Sequence, residues 1–350
     1  MFEKFDKMYV EDLKKGNKKI KKESLNEFLN SFELDALKSC ALIAHLFKPE
    51  ELEPHLKSYT KEDYVESIKD NLNSLFRNLI LLVDFDSLDL LYEIVYSKDV
   101  IELDAKDINI ELICFLKYIC FIKAEYIEKQ NKLKIYMPQE FKDELIDCFD
   151  DEELVETSEN ASDIYDFSET VLSAYGVIPV SKLHEIYEMY IEKISYDEFA
   201  GMLFLKCFYG GSKMINYNNE DLFHSMSFDN MEDAIKFYNE QEGNYRIYGL
   251  EEYERIEDCS YIVKTKAYSK VTRFLFENYE FTEDEFVDIN LLIIFDYLYT
   301  SQLSIELADE NFKNKMIEIF NINTEELNKL LGYMRNIYKE YPKWRKRGNK

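Results

Sequence analysis

Nine glycines and five prolines among 350 residues leave this chain few turn-makers. Sandwiches and barrels reverse direction every few residues and consume both, so their scarcity points to helices joined by polar connections. The apolar supply is ample, with 46 % hydrophobic and 15 % aromatic residues. The length suits two or three domains of ordinary size.

Residues 1–78 read as a segment of short amphipathic helices. Leu25, Phe28, Leu29, Phe32, Leu37 and Leu42 recur at near-helical spacing until Pro49 stops them, and Thr60 is placed to cap a helix carrying Tyr64, Val65, Ile68 and Leu72. In residues 79–150 the pattern predicts helices over 87–96 and 108–122. A hairpin follows, with strands at 124–127 and 133–136 about a polar tip at 128–132, then a short helix opened by Pro138. The acidic, polar stretch 151–163 reads as a linker.

Residues 164–229 repeat this layout with little identity. A helix is closed by Gly176, the next is capped by Ser181 and a third by Ser195, with Asp197 and Glu198 in its first turn. Gly210 and Gly211 then turn the chain into a strand at 213–217. Helix, helix, strand, strand is the order a winged-helix domain needs. The expected fold is therefore mainly α: helical N- and C-terminal segments around two degenerate winged-helix-like units with short β-hairpins. Residues 230–350 are helical again, with a capping box at Thr282 and Glu285, a last helix from Thr324 that runs out at Pro342, and a basic tail.

The formal charge of -27 repels nucleic acid and anionic lipid on average and favours a basic partner. Basic residues collect at two places: Lys14, Lys15, Lys18, Lys19, Lys21 and Lys22, and the run from Arg335 to Lys350, where only Glu340 opposes seven cations. Lysine runs of this kind are ordinarily solvated faces; as contacts they would serve nucleic acid or a protein partner. The candidate contact residues are Lys14, Lys15, Lys18 and Lys19, the hairpin's Lys129, Lys132 and Lys134, and the tail's Arg345, Lys346 and Arg347. Base readout by the second helix of each unit is disfavoured. Residues 109–123 are apolar on nearly every face, and 195–207 offer acids and Lys206 where a DNA reader presents arginine, asparagine or lysine.

Chemistry-bearing motifs are not found. There is no glycine-rich phosphate loop, HExxH, GxSxG or EF-hand spacing. The six cysteines form no CxxC pair, and Cys114, Cys120 and Cys207 lie in apolar stretches where a thiol acts as a small core residue. His45, His55, His184 and His224 are far apart. The most enzyme-like string is ILLVDFDSLD, whose Asp84 and Asp86 imitate a phosphatase nucleophile loop, although the alternating α/β chain that loop needs is missing and Asp86 suits a helix N-cap. No cofactor, metal or catalytic residue is expected. The opening residues are charged and no apolar run approaches the ~20 residues of a membrane span, so a cytoplasmic, reduced setting is expected. The 27 tyrosines suit half-buried helix packing and, secondarily, interfaces. Trp344, the single tryptophan, reads as a cap on the last helix, with a tail anchor in an interface as the alternative.

Three strings, SAYGVIPVSKLHEIYEMY, KAYSKVTRFLFENYEFTEDE and YPKWRKRG, resemble a group of bacterial helical proteins, some carrying a cysteine-rich zinc motif called SEC-C and some described as Rho-termination-factor-like. That resemblance implies an intracellular helical protein of regulatory or adaptor role. The SEC-C cysteines, which in that group follow the tryptophan segment, are not in this sequence, so no site residue carries over. The expected function is a non-enzymatic interaction or regulatory protein that binds another protein. Its alternatives are a DNA-binding regulator using the hairpins and basic ends, and an acidic nucleic-acid mimic.

Overall fold

The structure, a computed structural model, describes residue 13 and residues 20–48, 58–97, 100–208, 211–279, 290–320 and 322–350. The chain divides into two compact units, Met1–Asp163 with Phe208–Gly210, and Ile164–Cys207 with Gly211–Lys350. Among the described residues there are sixteen α-helices and two three-stranded antiparallel sheets. None of these helices is long and apolar enough to cross a membrane.

In the first unit come α1 (Leu25–Asn30), α2 (Leu34–Ala44), α3 (Lys61–Asp70), α4 (Leu72–Leu82) and α5 (Phe85–Tyr96). Then follow β1 (Val100–Asp104), α6 (Ile110–Tyr118), β2 (Lys123–Ile127), β3 (Lys132–Tyr136) and α7 (Gln139–Phe149). The single periodic stretch at 24–47 is two helices, each with its own start: Ser24 and Glu27 form a capping box for α1, and Glu33 precedes α2. Thr60 caps α3 as its sequence predicts, in a box with Asp63. The core is aromatic. Phe76 meets Phe121 and Phe141 edge to face at 5.0 Å, and Phe28 meets Phe141 at 5.8 Å.

The first hairpin has a third strand that sequence reading missed, giving the sheet order β1-β3-β2. Its register sends Leu133 and Ile135 into the core and sets Lys134 between Glu102 on β1 and Glu125 on β2.

The boundary between the units falls inside α8 (Glu152–Leu172), so the acidic stretch expected to be a linker is helical from Glu152 onward. Its packing stripe is partly serine. Ser158 Oγ donates to Ile80 O at 2.6 Å, Ser162 Oγ to Ser158 O at 3.1 Å, and Ser168 Oγ to Ile164 O at 2.6 Å, so buried hydroxyls are satisfied by carbonyls.

The second unit continues with β4 (Val177–Pro179), α9 (Val180–Tyr190), α10 (Tyr196–Lys206), β5 (Lys213–Tyr217) and β6 (Glu220–His224), in the sheet order β4-β6-β5. Again the first strand was missed. Ser195 caps α10, but α9 begins at Val180 after Pro179, so Ser181 lies within the helix instead of capping it. Asn218 and Asn219 both take positive φ, as a two-residue turn between twisted strands requires.

Six helices follow β6 and enclose the rest of this core: α11 (Met231–Glu240), the short α12 (Leu250–Glu257), α13 (Lys266–Asn278), the equally short α14 (Asp296–Leu303), α15 (Ile305–Phe320) and α16 (Thr324–Glu340). Buried Asp309 on α15 joins three of them, accepting from Tyr297 Oη on α14 at 2.9 Å and from Arg335 Nε on α16 at 3.0 Å. The Thr282–Glu285 box lies outside the described residues.

Candidate interaction surfaces

The sequence-derived contact residues that the structure describes fall in both units, the hairpin lysines in the first and the tail cations in the second. Lys14, Lys15, Lys18 and Lys19 lie outside the described residues. In the first unit Lys129 is exposed on the hairpin tip, which Asn131 closes with φ 51°. Lys132 and Lys134 stand 4.0 and 3.1 Å from Glu102 and share that single carboxylate.

The tail cations are built into the second unit. Trp344 is fully buried: its Nε1 donates to Ser173 O at 2.8 Å and its backbone N to Gln302 Oε1 at 3.1 Å. The indole lies on Gly176, whose φ of +71° and lack of Cβ admit it. Buried Gln241 directs Nε2 at the carbonyls of Tyr175, Val177 and Trp344 at 2.9–3.2 Å. Trp344 therefore packs within its own unit, against Gly176 just ahead of β4 and Tyr299 of α14, where a cap on the last helix was expected.

Around it the basic side chains lie over rings: Arg345 over Phe237 at 5.0 Å while paired with Glu240, Arg347 over Tyr245 at 4.7 Å, and Lys350 over Tyr261 at 5.2 Å. Lys346 is exposed. Lys343 donates to the carbonyls of Tyr338 and Tyr341, and burial with Lys346 and Lys350 nearby brings its ammonium down to about 7.

The helices that would read a groove carry no exposed base-reading set. On α6, Leu112, Ile113 and Leu116 are fully buried. On α10 the solvent side shows Asp197, Glu198, Gly201 and Phe204, whereas Lys206 is buried. The second hairpin is acidic and pinned: Tyr238 Oη donates to Glu220 Oε2 at 2.7 Å and Asn216 Nδ2 to Asp221 Oδ1 at 2.8 Å.

An open groove of about 300 Å³ beside α5 is lined by Leu90, Ile108 and Leu112 and by the polar residues Asp84, Ser87, Asp89, Glu93 and Asn109. Asp84, not Asp86, caps α5: its carboxylate accepts from Ser87 N and Ser87 Oγ, both at 2.7 Å. That bonding accounts for the phosphatase-like string as a helix start. Asn109 likewise caps α6, accepting from Leu112 N at 3.1 Å. Asp89 and Glu93 are exposed, and α5 also exposes Phe85, Tyr92 and Tyr96, the last two with ring centroids 4.3 Å apart. Sequence reading passed over this surface because an acid every four residues on a helix is the ordinary solvated pattern.

A few titratable groups elsewhere lie inside the fold. Burial raises the Glu169 carboxyl, and its Oε1 has no partner among the described residues; Glu257, accepting from Thr170 Oγ1 at 2.8 Å, is raised by burial and by Glu169. His224 is held neutral by burial, with Nδ1 3.0 Å from Ser225 O and Nε2 unpartnered. The six thiols are free; five are buried and Cys114 is half-buried. Burial pushes Cys148 to about 11 and Cys207 to about 12, far from a reactive thiolate. His45 Nε2 lies 3.3 Å from Ser67 Oγ, but Ser67 is mid-helix on α3, where backbone N–H groups are spent on the helix and none faces a developing oxyanion. No group of three metal-ligating side chains converges among the described residues.

No family model, curated protein or solved structure matches the chain.

Proposed function

We propose that this chain is a non-enzymatic protein-interaction or regulatory protein carrying two degenerate winged-helix-like units that bind protein, not DNA. The order helix, strand, helix, helix, strand, strand from α8 to β6, with the first strand pairing the third, supports the winged-helix reading of the second unit. From α5 to β3 the same order recurs, with the three-residue turn Ala105–Asp107 in place of one helix.

The observation that carries the proposal is the solvent side of α10, the helix such a unit would lay in a major groove. It leads with Asp197 and Glu198, exposes Phe204 and buries Lys206, so phosphate is repelled where it would have to approach. Affinity purification of the tagged chain from its native cell, with and without nuclease, tests this. A protein partner that survives nuclease is expected. Recovery of nucleic acid alone, or a salt-sensitive gel shift with duplex DNA, overturns it.

A further inference from the structure

We infer that the groove beside α5 holds a lysine- or arginine-bearing amphipathic segment of a partner protein; this rests on the protein-interaction reading above and names the partner's chemistry. The groove has an apolar floor, Leu90, Ile108 and Leu112, and an edge formed by Asp89 and Glu93. These two acids are one helical turn apart on α5, near enough to act on one cation. No cation is among the lining residues.

Its polar groups Asp84, Ser87 and Asn109 are already engaged. Asp84 and Asn109 each accept one first-turn N–H of their own helix, from Ser87 and Leu112, so the lining acids not spent on a cap are Asp89 and Glu93. A long basic side chain fits this division, laying its methylenes on the leucine and isoleucine floor and its charged head at the carboxylates. The neighbouring face of α5 adds a second, independent feature: Tyr92 and Tyr96, both more than half exposed and packed ring to ring. Aromatic pairs of this kind supply contact area at low ordering cost and a face for a guanidinium. A small polycation lacks the apolar stripe that the floor and the tyrosines would cover, so the occupant is a peptide segment.

The test titrates the full chain by fluorescence anisotropy with a labelled helical peptide of leucine and lysine, at about 0.1 M salt so that diffuse attraction is screened beyond ~10 Å. D89N/E93Q is expected to weaken binding about tenfold, equivalent to ~1.4 kcal/mol. E306Q/E310Q, which removes the same charge from two exposed acids one turn apart on α15, should leave it within about twofold, and Tyr92→Ser, compared well below the thermal midpoint because Tyr92 also packs on Phe149, should weaken it. A peptide with serine for leucine should bind about tenfold less tightly. Equal losses for the two acid-neutralised proteins, or equal binding of the two peptides, would reduce the effect to net charge and overturn the inference. Failure here is separable from failure of the broader reading: a nuclease-resistant partner retained by D89N/E93Q overturns the groove alone, and no such partner for the unaltered chain overturns the function.

Discussion

At Gly176 a single hydrogen stands where any other residue would place carbon inside the Trp344 ring, and the backbone there is left-handed. Gly176→Ala should therefore destabilise the second unit by about 2–4 kcal/mol, from the positive φ and the overlap together, as read from denaturant melts. An unchanged midpoint would mean that the indole does not sit there. Charge inside the same unit gives an opposite pair of pH effects. Glu169 has a folded pKa above its unfolded one, so its burial costs stability while it is ionised, and the cost is relieved as pH falls through the raised value. Glu169→Gln should raise the thermal midpoint near pH 8, with the advantage shrinking on acidification; a pH-independent difference would contradict the assignment. For His224 the folded pKa is lowered, so the unfolded chain takes the proton first and stability declines as pH falls through the ordinary imidazole range. His224→Phe should remove that part of the acid loss.

Among the elements, those whose signals are local were legible and those defined by partners were not. The hairpin strands β2, β3 and β5 were read correctly because alternation and a polar tip are properties of the segment itself. Strands β1 and β4 are five and three residues long, one of them ending in Pro179, and become strands only by pairing with β3 and β6. The first half of helix α8 was hidden by its serines: at Ser158 and Ser162 a small hydroxyl fills an inward position and bonds a carbonyl, so the stripe before residue 164 reads as polar by composition. Capping was legible where a side-chain oxygen stood three residues ahead of the backbone N–H it accepts from, as at Thr60 and Ser195, but Ser181 failed because Pro179 already starts the turn. Of the candidate contacts, the tail cations were visible as a basic run, but the rings that receive them come from residues about a hundred positions earlier, which no local pattern reveals. Thr60→Ala should cost about 1 kcal/mol in the first unit. In the second hairpin Asn219→Val should cost about 1–2 kcal/mol and Asn219→Gly nothing, since only the β-branched residue resists positive φ.

For the whole molecule, a charge of -27 implies self-repulsion that screening relieves. The thermal midpoint should rise between about 20 and 200 mM salt, where the screening length falls from roughly 20 Å to under 10 Å. A falling midpoint would show that pairs such as Arg335 with Asp309 outweigh the excess of acids. The two cores also differ in when they can be completed. Among the described residues the apolar cluster of the first is complete by Leu154, whereas the second waits for Trp344, whose ring nitrogen bonds a carbonyl 171 positions earlier. During synthesis the first unit can fold while the chain is still being extended, but the second keeps an open seam beside β4 until its last turn has left the ribosome. A nascent chain halted before residue 344 would thus carry a finished first unit and an unfinished second, a state that proteases and chaperones recognise by its uncovered apolar surface.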